Sequence, residues 1–186
     1  MDLTALITEF LGSVGGGQIE IYNEFSFQHE LGIFLREHPK CKGFKVQFER
    51  NISYFEISLE EMVKKEIDIV IFNDEKSEKY AIELKYPKNG QHPEQMYAFV
   101  RDVKFAEQLR EREFTKTATV VLVDAPLFYE GRKTDGIYKY FRNLHSIHGV
   151  IPKPTGNSSE KIKVKDGYDF EWIQLYGDTK FYVIEI

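Results

Sequence analysis

Two short apolar runs, each with an acidic residue set inside it, constrain this chain more than any other feature. Glu66-Ile67-Asp68-Ile69-Val70-Ile71-Phe72 and Tyr80-Ala81-Ile82-Glu83-Leu84-Lys85-Tyr86 are rich in β-branched and aromatic residues, and the polar stretch 73–79 separates them. Two strands joined in hairpin fashion are expected. Side chains alternate along a strand, so Glu83 and Lys85 should share one face while Ile82, Leu84 and Tyr86 share the other. An Asp flanked by Ile67, Ile69, Val70 and Ile71 is costly to bury without a partner. Its plain structural use is an ion pair with Lys64 or Lys65, and that of Glu83 and Lys85 is a solvated pair on an edge strand. The other use is a site.

The surrounding pattern supplies an order of elements. Leu3, Leu6, Ile7, Phe10, Leu11 and Val14 recur at helical spacing, with Asp2 as N-cap and Gly15-Gly16-Gly17 as the stop. A second helix over about 23–38 presents Phe27, Leu31, Phe34 and Leu35 on one stripe, with Glu30 at its edge, and Pro39 closes it. Residues 44–49 alternate as a strand ahead of the two acid-bearing runs. After Asn89-Gly90, Pro93 suits the first turn of a long helix carrying Met96, Phe99, Val100, Val103, Ala106 and Leu109. The run 117–124 is a buried strand, expected parallel to a neighbour because a long helix precedes it. Beyond Pro126 the pattern gives a short helix over 136–144, a loop over 152–159, and strands at 161–165, 171–176 and 180–186, the last two joined at Gly177-Asp178.

The remaining bounds are broad. A chain of 186 residues with 42% hydrophobic content is expected to form a single domain, 1–186, around one core. Cys41 is the single cysteine, so neither an internal disulfide nor a cysteine metal cluster is available. The N-terminus carries Asp2 and Glu9 rather than a basic leader, and no apolar run reaches membrane-spanning length. A cytoplasmic protein with no membrane partner is expected. Net charge of −5 argues against tight nucleic-acid binding by bulk electrostatics. The local groups Lys40/Lys42/Lys45, Lys64/Lys65, Lys85/Lys88, Arg101/Lys104 and Lys161/Lys163/Lys165 read most simply as solvated faces. His29, His92, His145, His148 and Asp124 read as ordinary loop, helix or cap residues.

Two carboxylates and a lysine converging over a sheet have a specific chemistry. Asp68 and Glu83 are hard oxygen donors suited to Mg²⁺, with Mn²⁺ as the substitute. Lys85 beside them could orient or deprotonate a water, or neutralise charge building on phosphorus. Glu30 is placed to reach the same ion directly or through water.

Asp68, Glu83-Leu84-Lys85 and the helical Glu30, in this order of elements, resemble the signature of the PD-(D/E)xK nuclease superfamily over about residues 23–125. The resemblance implies an α/β fold of restriction-endonuclease-like type: a three-layer α/β/α core with a mixed central sheet. The N-terminal helix and a C-terminal β extension over about 126–186 are then embellishments. It further implies a Mg²⁺-dependent nuclease acting on DNA ahead of RNA, with Asp68, Glu83 and Glu30 as metal ligands and Lys85 as the catalytic lysine. Gln95 in the next helix resembles the glutamine that some members place there. The match departs at Ile67, which stands where the signature has proline, and at Phe99, which stands where a QxxxY motif has tyrosine. One small acidic subunit offers little phosphate-binding surface, so a homodimer or a partner protein fits the reading. The rival is a nuclease-fold protein without catalysis that binds nucleic acid or protein as a regulator.

Overall fold

The two acid-bearing runs are adjacent antiparallel strands inside a mixed six-stranded sheet. The computed structural model describes residues 1–60, 62–88, 90–156 and 159–186; Asn89, Asn157 and Ser158, expected in breaks between elements, lie outside the described residues. Strands β1 (Lys45–Asn51), β2 (Glu66–Phe72), β3 (Lys79–Lys85), β4 (Lys116–Val123), β7 (Ile173–Tyr176) and β8 (Thr179–Glu185) form the sheet in the order β1-β2-β3-β4-β8-β7. β5 (Ile147–Pro152) and β6 (Lys161–Tyr168) form a separate antiparallel pair. The helices are α1 (Leu3–Gly15), α2 (Glu24–Glu37), α3 (His92–Glu111) and the short α4 (Tyr138–Arg142). β3 and β4 are the parallel pair, and α3 is the crossover that a parallel connection requires.

The sheet has helices on both faces. On one side α1 and α2 bury Leu6, Phe10, Phe27 and Leu31 against Ile69, Ile71, Ile82, Leu84, Val120 and Leu122. Each such side chain contributes about 1.5–3 kcal/mol when fully removed from water, so apolar burial dominates this face. On the other side α3 packs Met96, Val100 and Val103 with Val121, Val123 and Tyr182, and its far end joins Val70, Phe72 and Phe114. This is a three-layer α/β arrangement. None of the described helices is long and apolar enough to cross a membrane.

Both chain ends belong to this core rather than decorating it. β4 is buried on both faces and so needs a neighbour on each edge; β8 supplies the second, from Ala118↔Glu185 to Val123↔Lys180. The segment expected as a C-terminal extension therefore completes the central sheet. Asp2 caps α1 by accepting from the Ala5 amide at 2.9 Å, and the free amides of Leu3 and Thr4 donate to one carboxylate oxygen of Glu185 at 2.9 and 3.1 Å. A negative charge at a helix N-terminus satisfies donors that lack intrahelical partners. The first helix is thus tied to the last strand.

α2 approaches the sheet closely because Gly32 faces Phe48: a Cβ there would stand 2.1 Å from the ring. That contact sets where the start of α2 falls. Its N-cap Asn23 and Ser26 exchange side-chain and backbone hydrogen bonds in a capping box, which fixes Glu24 in the first turn.

Candidate active site

Regular pairing of β2 lapses at Asp68 on both edges. Toward β3 the ladder ends at Ile69↔Ile82, and toward β1 it passes from Phe48↔Ile69 to Arg50↔Ile67 without a pair at Glu49. Glu49 has φ 46°, a left-handed conformation that costs a non-glycine residue about 1–3 kcal/mol and is held only where its surroundings demand it. Side chains take over the lost backbone bonds. The Asp68 amide donates to Glu83 Oε1 at 3.2 Å, the Leu84 amide donates to Asp68 Oδ2 at 2.9 Å, and the Asp68 carbonyl accepts from Gln28 Nε2 at 2.7 Å. Gln28 also donates to Glu49 Oε1 at 2.5 Å. The expected carboxylates are therefore locked side by side where two strands part.

A third carboxylate and two ammonium groups complete the cluster. Asp102, buried on α3, faces the sheet, and the Lys64 ammonium lies among Asp68 Oδ1 (3.4 Å), Asp102 Oδ1 (3.1 Å) and Glu83 Oε2. Lys85 points to the same centre, with Asp102 Oδ2 at 3.7 Å and Asp68 Oδ2 at 3.8 Å. Its ammonium is anchored by Glu24 Oε1 at 3.1 Å and by the Leu84 carbonyl at 2.9 Å; Glu24 Oε2 accepts from the Tyr86 amide at 3.1 Å. Ile82, Leu84 and Tyr86 lie in the opposite core, as strand alternation requires.

The helix acid at the site is Glu24, not Glu30. Glu30 is partly exposed and meets His29 Nδ1 at 3.3 Å, because the N-terminus of α2, rather than its middle, reaches the parted strands. Gln95 lies in the first turn of α3, half-buried, seven residues before Asp102 and so on the same helix face two turns away. Asp102 was legible by the logic applied to Asp68: it is an acid within the run Phe99-Val100-Arg101-Asp102-Val103 of a buried helical stripe. Glu24 gave no such signal, since an acid in a first turn is ordinary helix chemistry.

The electrostatics follow from burial. Burial, then the charge of Asp68, push the Glu83 carboxyl well above the usual range, against the pull of Lys64. Asp102 is likewise raised by burial, with Lys85 and Lys64 opposing. Burial depresses Lys64, but Glu83, Asp102 and Asp68 outweigh it and hold the ammonium above the ordinary lysine range; Asp102, Asp68 and Glu24 do the same for Lys85. Lys85 is therefore a cation at neutral pH, which makes it a donor and charge stabiliser rather than a base. Glu24, Asp68, Glu83 and Asp102, if all ionised, outnumber Lys64 and Lys85 by two charges. The cluster relieves that excess by holding protons or by taking a further cation.

Three buried polar atoms around the cluster lack hydrogen-bond partners among the described residues: Asp102 Oδ2, Thr119 Oγ1 and the Tyr182 hydroxyl. Thr119 is the register partner of Glu83 on β4, and the charge of Asp102 adds to the burial that raises the Tyr182 phenol. Such groups are uncommon in folded proteins and cluster where a ligand or a reaction uses them. Asp68, Glu83 and Asp102 are hard donors of the type a divalent cation takes. As placed, they close on the Lys64 ammonium, and no group of three or more acidic, histidine or cysteine side chains among the described residues stands in metal-holding geometry. The donor types suit a divalent ion, and as placed the carboxylates hold the Lys64 ammonium instead. Comparison with protein-family models, with curated proteins and with solved structures finds no match for this chain.

Proposed function

We propose that the chain is a metal-dependent nuclease of restriction-endonuclease-like fold, a divergent member of the PD-(D/E)xK superfamily. The observation that carries this reading is the convergence of Asp68, Glu83 and Asp102 with Lys85 at the point where β2 and β3 part. The parallel β3–β4 pair with α3 as crossover supports it further. Asp68 and Glu83, with Asp102 rather than Glu30 as the third acid, would hold Mg²⁺ or Mn²⁺. Such an ion supplies a water of lowered pKa and polarises the phosphoryl oxygens.

The chain's own groups do the rest. Glu24 and the Leu84 carbonyl hold the Lys85 ammonium over the centre, where it stabilises negative charge developing on the phosphoryl oxygens. The backbone amides of Asp68 and Leu84 fix the orientations of the Glu83 and Asp68 carboxylates before any ligand arrives, while Gln28 holds the Asp68 backbone through its carbonyl. Lys64 must leave the carboxylates for a divalent ion to enter, and once released it adds a positive charge beside an incoming phosphate.

The test is cleavage of labelled duplex DNA, single-stranded DNA and RNA with Mg²⁺ or Mn²⁺. Wild type should cut at least one of these, and Lys85→Ala should lower the rate by about 10²–10³-fold or more while its circular dichroism is unchanged. Wild type that cuts none of them with either metal overturns the reading. Lys64 itself favours a second one: an ammonium already closing the three carboxylates suits a protein that binds without catalysis. In that case Mg²⁺ leaves the melting temperature of wild type unmoved.

A further inference from the structure

β6 has a backbone edge that the fold leaves half open. Its ladder with β5 runs from Gly149↔Val164 to Pro152↔Lys161, and just beyond it the Lys153 amide donates to the Glu160 carbonyl at 3.0 Å. In an antiparallel pair, residues that bond across the ladder alternate with residues whose N–H and C=O point the other way. Glu160, Ile162 and Val164 belong to the first set, so the backbone groups of Lys161, Lys163 and Lys165 point away from β5. Glu107 of α3 closes one end of that edge, accepting from the amides of Lys165 and Asp166 at 2.9 Å each. The amides and carbonyls of Lys161 and Lys163 have no partner among the described residues.

The side chains around this open stretch have a matching character. Lys161, Lys163 and Lys165 are exposed on the outward face, with Ile162 and Val164 buried on the other. The exposed Val63, with Lys104 and Gln108 of α3, joins them in lining an open groove of about 550 Å³ whose lining also includes Ile162. Lys165 pairs with Glu111 and Lys104 with Glu107, both at 3.0 Å, whereas Lys161 and Lys163 have no carboxylate partner among the described residues.

We infer that this groove receives an extended segment of a partner protein, acidic at alternate residues and apolar between them, which adds to β6 as a third strand. An added strand brings both the acceptors and the donors that Lys161 and Lys163 leave open; a phosphate backbone brings acceptors alone. Residues opposite one another across a ladder share a face, so acidic side chains stand beside the exposed lysines and the residues between them turn toward Ile162 and Val63. The same lysines disfavour a second copy of the chain, since two β6 edges laid together would set lysine against lysine. A charge that blocks self-association thus selects a partner of opposite sign. Glu107 limits the contact to the stretch ahead of Lys165. No side chain of the acid cluster lines the groove, so the docking is independent of cleavage.

The probe is a short capped peptide of alternating glutamate and valine, titrated into isotope-labelled protein at neutral pH and followed by NMR. The Lys161 and Lys163 amide signals should move and their hydrogen exchange should slow, while Ile162 and Val164, already bonded to β5, change little. The double variant Lys161→Gln/Lys163→Gln should keep the wild-type circular dichroism and bind about 2–30-fold more weakly, the loss expected for two surface ion pairs. Methylating the alternate peptide nitrogens that face β6 should abolish binding, and methylating the other set should not. Equal behaviour of the two methylated peptides overturns the strand pairing, and so does a glutamate–valine peptide that leaves both amides unmoved. Duplex DNA that displaces the peptide from wild type, and needs the same two lysines to do so, overturns it as well and gives the groove to nucleic acid.

Discussion

The two faces of the central sheet solve opposite problems with the same strands. Leu84, Ile82 and Tyr86 of β3 enter an apolar layer under α1 and α2, whereas Glu83 and Lys85, their immediate neighbours, enter a layer under α3 that holds three carboxylates, two of them buried, and two ammonium groups. The first face gains stability from every side chain it buries. The second spends it, since buried ion clusters rarely repay the loss of hydration. Charge of that density under one helix is what makes this face the candidate site.

The strongest way to break this contrast is to remove Lys64. Lys64→Ala leaves Asp68, Glu83 and Asp102 facing one another, and should cost about 3–5 kcal/mol in chemical denaturation. Mg²⁺ should restore part of that loss, because an ion that binds only the folded form stabilises it by mass action. A small loss that Mg²⁺ does not change would make the charged layer a passive one. Leu84→Ala probes the apolar face at the adjacent position: a loss of about 2–4 kcal/mol is expected, equal with and without Mg²⁺, since the Leu84 amide that serves Asp68 is kept.

Gly32→Ala tests whether the apolar face positions the charged one. The added methyl would force Phe48 aside, with an expected cost of about 1–2 kcal/mol by urea denaturation after the helix-propensity gain is subtracted. Cleavage should fall more than the loss in stability explains, because α2 carries both Glu24 and Gln28. The smallest effect is a pH slope. The folded form holds the Glu83 proton more tightly than the unfolded chain does, so the stability tied to that proton is present below about pH 4.5 and is lost as pH rises through the elevated value. The melting temperature of Glu83→Gln, less that of wild type, should therefore become more positive from pH 5 to pH 8. The raised pKa of Lys64 matters only above the ordinary lysine value of 10.5, outside that window. A flat difference would mean that Glu83 is ionised throughout.

What the sequence made legible was local. Asp68, Glu83 and Lys85 stand out because a charge inside an apolar run has few structural uses, and the long helix before 117–124 predicts a strand parallel to some neighbour, which the structure identifies as β3. The helical stripe of residues 23–38 puts Glu30 at its edge, but a stripe fixes only rotation about the helix axis. Which turn of α2 reaches the site depends on where Gly32 lets the helix settle on Phe48, a contact between distant segments. The same reason hid the place of β8. Residues 180–186 read plainly as a strand, yet nothing local to a strand names its partner, and β8 lies beside β4 rather than outside the core. Lys64 was visible only as an ion-pair partner for Asp68; that it also closes Glu83 and Asp102 needed the approach of α3.

The lapse of pairing at Asp68 makes the site its own reporter. The amide protons of Asp68 and Leu84 are shielded by the carboxylates of Glu83 and Asp68 rather than by strand carbonyls. Hydrogen exchange at these two positions is therefore coupled to side-chain orientation, while exchange at Val70 or Ile82, inside the regular ladder, follows the opening of the sheet. An incoming cation that turns either carboxylate will be written into two backbone signals, legible by NMR on the unmodified protein.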